Sequence, residues 1–213
     1  MKMPNFVNVG YDSLSLSFNS STRTVNAFLH GSYIEDYERL LSVLMHPDSV
    51  SRYKHPLFLA TELVCDHRRR LERYRTAIDE HVLKSERRIG YVRPGILAIR
   101  PKVRPAPTFS TEKLDFEEIV KTLHSCLTEL IGLSRVTGFN RDLCTFLRDT
   151  LKELQEPFPK LADDSVDELT HQIDFSSNVS KHMEVQSVSL KERVQGHINL
   201  VSEVAETERG TFG

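Results

Sequence analysis

Residues 163–206, DDSVDELTHQIDFSSNVSKHMEVQSVSLKERVQGHINLVSEVAE, decide the fold. Every third or fourth residue picks out Val166, Leu169, Ile173, Ser176, Ser180, Met183, Ser187, Leu190, Val194, His197, Val201 and Val204. Steps of three and four alternate throughout, which marks a helix lying lengthwise on other helices. Asp164 or Ser165 caps its start, and Asp167 and Glu168 suit the positive end of the helix dipole. The seam is properly apolar only towards its C-terminal end. The serines at 176, 180 and 187 predict loose packing in the middle, able to shift register or receive a neighbouring subunit.

A seam that long needs long partners, and the chain supplies two. One helix starts near Asp115, with Glu118 three residues on in the pattern of a capping box. Its apolar positions are Phe116, Val120, Leu123, Leu127, Leu130 and Ile131, then Phe139, Leu143, Phe146, Leu147, Leu151 and Leu154. Gly132 and Gly138 loosen its middle, and Pro157 and Pro159 end it. The other starts at His55-Pro56, where proline in the first turn is favoured. Leu57, Ala60, Val64, His67, Leu71, Tyr74, Ile78 and Val82 carry it to about Arg88, roughly 50 Å at 1.5 Å per residue.

Between these two, Pro94, Pro101, Pro105 and Pro107 alternate with Arg93, Arg100, Lys102 and Arg104, an exposed basic linker over about 89–110. At the front, Leu14, Leu16 and Phe18 alternate with serines. The turn residues Asn19-Ser20-Ser21 and a second run, Thr24 to Leu29, make this a β-hairpin. Residues 33–45 have helical spacing and stop before Pro47. The fold class is therefore mainly α: long antiparallel helices in a coiled-coil-like three-helix bundle, with a small N-terminal β-hairpin and short helix. The expected division is a small α+β portion over 1–54 and the long-helix bundle over 55–213.

The 213 residues suffice for one core of useful size. With 28 Lys and Arg against 30 Asp and Glu, the net charge of −2 argues against nucleic acid as a partner. Three widely spaced cysteines, Cys65, Cys126 and Cys144, favour free thiols in a reducing compartment. The N-terminus has no secretory pattern, and the apolar runs fall far short of the roughly 20 residues that cross a bilayer, so a cytoplasmic location is expected.

Four groups of residues invite a functional reading. Arg68, Arg69, Arg70 and Arg73 could grip phosphate or an acidic lipid head group. The plainer account is a solvated helix face, with Asp66 pairing to Arg70 and Glu72 diluting the charge. Asp163, Asp164 and Asp167, on an acidic face with Glu168 and Asp174, could hold Mg²⁺ or Ca²⁺ through water, although carboxylates at a helix start need no metal to explain them. His67 and His197 fall on seams, where a satisfied buried histidine is the commoner case, and His171 and His182 are too far apart to share an ion. Cys65 and Cys126 have histidines two residues away, which point elsewhere on a helix. No GxSxG, P-loop or GxGxxG occurs, so no catalytic residue is assigned and a non-enzymatic role is expected.

Several cadences together resemble fungal proteins of the CorA-like magnesium transporter class. They are His55-Pro56-Leu57-Phe58 opening a charged helix, Leu114-Asp115-Phe116-Glu117-Glu118-Ile119, and Leu190-Lys191-Glu192-Arg193-Val194-Gln195 followed by Ile198-Asn199-Leu200-Val201. Tyr11 with its alternating strand, then Thr24 to Phe28, fits the front end. The resemblance implies a small α/β portion feeding long helices, the last of which continues into a membrane helix in the class. Here the sequence reaches Gly213 without a pair of apolar spans or a Gly-Met-Asn pore motif, so transport does not carry over.

The expected function is thus a helical scaffold or cation-sensing regulatory domain, self-associating through its long helices and membrane-associated only in a longer product that carries spans. The alternatives are an unrelated helical protein interaction module, and a peripheral binder of anionic membranes using Arg68 to Arg75 and the basic linker.

Overall fold

The structure, a computed structural model, describes residues 13–30, 34–46, 55–90, 115–155, 157 and 165–211. Two strands are followed by four helices: β1 (Ser13–Asn19), β2 (Thr24–His30), α1 (Ile34–Met45), α2 (Phe58–Ile89), α3 (Phe116–Gln155) and α4 (Ser165–Thr211). The protein is mainly α, with long helices and a small N-terminal hairpin. The linker expected up to about residue 110 lies outside the described residues from 91 onward, as do Asp163 and Asp164.

The hairpin is antiparallel, with Leu14 opposite Leu29, Leu16 opposite Ala27 and Phe18 opposite Val25 on one face. Its turn is held by the Asn19 side chain, whose Oδ1 accepts from the amides of Ser21 (3.0 Å) and Thr22 (3.1 Å). Arg23 closes the turn at a φ of 53°, a left-handed conformation that a non-glycine residue adopts only when the turn demands it.

Each long helix is set by local chemistry at its ends. The Leu57 amide donates to Nδ1 of buried His55 at 3.2 Å. Burial lowers His55 to about 4, so its ring is neutral and that nitrogen is free to accept. Gly90, at a φ of 78°, ends α2 in the left-handed form that favours glycine. The Asp115 carboxylate caps α3 by accepting from the Glu118 amide at 3.0 Å. The expected capping box is only half made, because the Glu118 carboxylate accepts from Arg88 at 2.8 Å. α3 then runs 40 residues through Gly132 and Gly138 as one helix.

The α4 seam is buried at every expected position from Val166 to Val201; only Val204, 39% exposed, falls off it. On α3 the structure corrects the sequence reading. The buried row is Ile119, Leu123, Cys126, Leu130, Leu133, Thr137, Asn140, Cys144, Leu147 and Leu151, again in alternating steps of four and three. Ile131, Phe139 and Phe146, counted as apolar seam positions, are exposed. Adjacent helical residues differ by about 100°, so a helix that buries Asn140 and Leu147 turns Phe139 and Phe146 outward.

The chain divides into two compact units: Met1–Tyr74 with Arg135–Glu184, and Arg75–Ser134 with Val185–Gly213. Each takes a segment of α2, α3 and α4. In the first, Leu57, Phe58, Val64, Leu147, Leu151, Leu169 and Ile173 belong to one core cluster, with Val43 and Leu44 of α1 packed against it. Here α3 and α4 are antiparallel, since Asn140 meets Ser180 while Arg148 meets Asp174. In the second unit, Ile78, Val82, Leu123, Leu130, Leu133, Val194 and Val201 are buried.

The corrected α3 register has a direct test. Leu133→Ala should lose about 2–5 kcal/mol in urea denaturation, whereas Ile131→Ala should change stability by no more than about 0.5 kcal/mol.

Candidate functional site

The polar groups buried on the helix seams are the places where chemistry could reside, and each unit holds one set. In the first unit, Asn140 is fully buried on the α3 seam. Its Nδ2 donates to Ser180 Oγ of α4 at 2.9 Å, which leaves Oδ1 facing His67 Nδ1 of α2 at 3.0 Å. With the amide so placed, Nδ1 of His67 carries the proton. Nearby on the same helices, Cys65 Sγ lies 3.5 Å from Ser176 Oγ. Of the three seam serines, Ser176 and Ser180 are engaged, whereas the Ser187 hydroxyl is buried without a hydrogen-bond partner among the described residues. Ser176 and Ser180 are short side chains that admit close helix approach and hold hydrogen-bond partners on neighbouring helices.

In the second unit, the Glu86 carboxylate of α2 is only 2% exposed. Arg193 of α4 grips it bidentately, with Nε to Oε1 at 2.5 Å and Nη2 to Oε2 at 2.7 Å. The remaining Arg193 nitrogen, Nη1, donates to Asp79 Oδ1 at 3.0 Å. His197 Nε2 stands 2.6 Å from Glu86 Oε1. Burial alone would raise the Glu86 carboxyl, but the hydrogen bonds and charge of Arg193 and His197 outweigh it and hold the group below its ordinary value. His197 is thus a satisfied seam histidine, as its position predicted.

Of the anion-binding candidates, Arg68 and Arg70 are buried. Arg68 donates to Glu72 at 2.8 Å and sits 5.0 Å above the Phe175 ring. Arg70 lies 3.6 Å and exposed Arg69 3.9 Å from buried Asp66, which also meets Arg39 of α1. Arg73 is exposed. Beside Asp66 a cleft is lined by Leu29, Leu40, Val43 and Leu63 with Arg39, Arg69, Glu62 and Asp66, so its basic groups face the chain's own carboxylates. Among the metal candidates, Asp167 is exposed in the first turn of α4. Among the described residues, no three His, Cys, Asp or Glu side chains are grouped to hold a metal ion.

All three cysteines are free and buried. Burial raises Cys126 and Cys144 to about 11, and raises Cys65 against the opposing hydrogen bond from Ser176. Such thiols are poor nucleophiles at neutral pH.

Asn140 and Glu86 both escaped the sequence reading, though each left a signal. The alternating α3 row from Ile119 to Leu151 passes through Thr137 and Asn140, but the bulkier Phe139 and Phe146 drew the register off by one. On α2, a further step of four beyond Val82 lands on Glu86, a carboxylate on the same helix face.

Compared with models of known protein families, with curated proteins and with solved structures, the chain matches none.

Two outcomes follow from these sites. Glu86→Ala removes the bidentate partner of part-buried Arg193, which keeps only Asp79, and leaves His197 without its acceptor, so it should cost about 1–3 kcal/mol in chemical denaturation. Because the folded carboxyl is depressed, its contribution is fully present above the ordinary value of 4.5 and lost as pH falls through the folded value. The variant's melting temperature should accordingly converge towards that of the parent as the pH falls below 4.5. The three thiols should react with a disulfide reagent only in denaturant; rapid labelling of the native protein would contradict their burial.

Proposed function

We propose that the chain is a non-enzymatic helical scaffold, whose useful feature is the arrangement of its long helices and the faces they present. The observation carrying this reading is how the polar and titratable side chains of the seams are engaged. Asn140 is joined to His67 and Ser180, Cys65 to Ser176, and Glu86 to Arg193 and His197, in each case from one helix to another. Groups engaged in this way fix helix register. Among the described residues no helix is long and apolar enough to cross a membrane, which accords with a scaffold built from polar-surfaced helices.

The regulatory form of the proposal, that of a soluble part resembling the CorA-like divalent cation transporter class, rests on the helix cadences and on the acidic start of α4. It predicts a rise of several degrees in melting temperature in millimolar MgCl₂, lost in Asp163→Asn/Asp164→Asn/Asp167→Asn. No rise would remove cation control and leave the general interaction module. Pelleting with phosphatidylserine vesicles that is abolished by Arg69→Glu/Arg73→Glu would instead favour the membrane-binding account. A hydrolytic or transfer activity lost on His67→Ala or Cys65→Ala would overturn the scaffold reading itself.

A further inference from the structure

The outer face of α3 carries a second seam. Arg135, Phe139, Asp142, Phe146, Asp149 and Glu153 follow one another in steps of four, three, four, three and four, the same alternation as the buried row. All six are exposed and all belong to the first unit. Phe139 is 54% and Phe146 62% exposed, two large rings seven residues apart on one face. An exposed aromatic pair flanked by charges at heptad spacing is the pattern of a helix that receives another helix.

The charges along the stripe say which helix. One end is cationic, at Arg135, and the other is anionic, at Asp149 and Glu153. A second stripe laid parallel would set arginine beside arginine and carboxylate beside carboxylate. Reversed, the same stripe complements itself. A two-fold axis between Phe139 and Phe146 brings Phe139 of each copy onto Phe146 of the other, and Arg135 of each between Asp149 and Glu153 of the other. Such a self-complementary patch is what an isologous contact requires. Asp142 falls beside the axis, where two like charges approach; each lies 3.5 Å from Arg141 of its own chain, which also donates to Glu184 at 2.9 Å, so this pair of carboxylates opposes the contact and the rings and the Arg135 pairs must outweigh it.

We infer that the outer face of α3 is a homodimer interface, occupied by the same face of a second copy in antiparallel register. The inference concerns this face alone and holds whether or not the chain is a scaffold.

Sedimentation equilibrium on the full chain over a range of micromolar concentrations tests it. The parent should dimerise, and Phe139→Ser/Phe146→Ser should be monomeric, with a melting temperature independent of concentration and close to that of the parent diluted below its dissociation constant, because both rings are exposed. Arg135→Glu alone, or Asp149→Lys/Glu153→Lys alone, should weaken association about tenfold, as expected for two symmetry-related sets of exposed charge pairs. The three substitutions together restore opposite charges across the two-fold and should recover the parent dissociation constant to within about threefold, a rescue that a folding defect would not show. Asp142→Cys should give a covalent dimer under mild oxidation. A parent that stays monomeric overturns the inference and leaves the stripe to a different partner or to solvent. A dimer indifferent to the charge reversals overturns it too.

Discussion

The whole arrangement depends on one constraint: helices that pack lengthwise must bury a stripe repeating every 3.5 residues, whatever residues happen to occupy it. On α4 that stripe runs from Val166 to Val201 and on α3 from Ile119 to Leu151, each without a missed step. Hydrophobic burial rewards most of these positions. The geometry, however, admits no gaps, so Ser176, Ser180, Asn140, Thr137 and His197 are carried inward along with their apolar neighbours. A polar side chain forced inward costs about 1–3 kcal/mol if it finds no hydrogen bond. The placement of the helices is then constrained twice, once by apolar burial and once by the partners that Asn140, Ser176, Ser180 and His197 find across the seams, although the Ser187 hydroxyl finds none among the described residues.

Register is where the second constraint acts. An apolar seam tolerates sliding by a turn, since leucine on valine differs little from leucine on leucine. Asn140 does not, because its amide bridges His67 and Ser180 at the same time. Glu86 imposes the same discipline in the second unit with larger energies, since it is a charge held away from water by a bidentate arginine and a histidine. Such groups contribute little net stability compared with apolar substitutes, yet moving any one of them is costly, which makes them register markers.

The outward faces are left with the side chains that the seams do not bury. Where buried rows end, exposed apolar side chains remain at Tyr37, Leu41 and Met45 on α1 and at Phe139 and Phe146 on α3. The α3 pair is embedded in a charge pattern that specifies its own complement. Seam groups paired from helix to helix, such as Asn140 with His67 and Ser180, hold that face in one orientation on its own unit, which is the condition for a specific contact.

The sequence by itself determined the helices, their order, the hairpin and the α4 seam. These follow from periodicity, caps and prolines, and each is encoded within a few neighbouring residues: Asn19 making its own turn, Asp115 capping its own helix, Gly90 ending α2. It did not determine which of two adjacent rows on α3 faces inward. Judged residue by residue, phenylalanine at 139 and 146 looks more buried than threonine at 137 or asparagine at 140, and hydrophobicity alone favours the wrong row. Only the tertiary structure decides, because the cost of burying Asn140 depends on His67, 73 positions away, and on Ser180, 40 away. The same holds for Glu86, whose burial is tolerable only with Arg193 beside it, 107 residues along the chain. Local sequence fixes where a helix forms; which side of it turns inward is fixed by partners that the chain brings near only on folding.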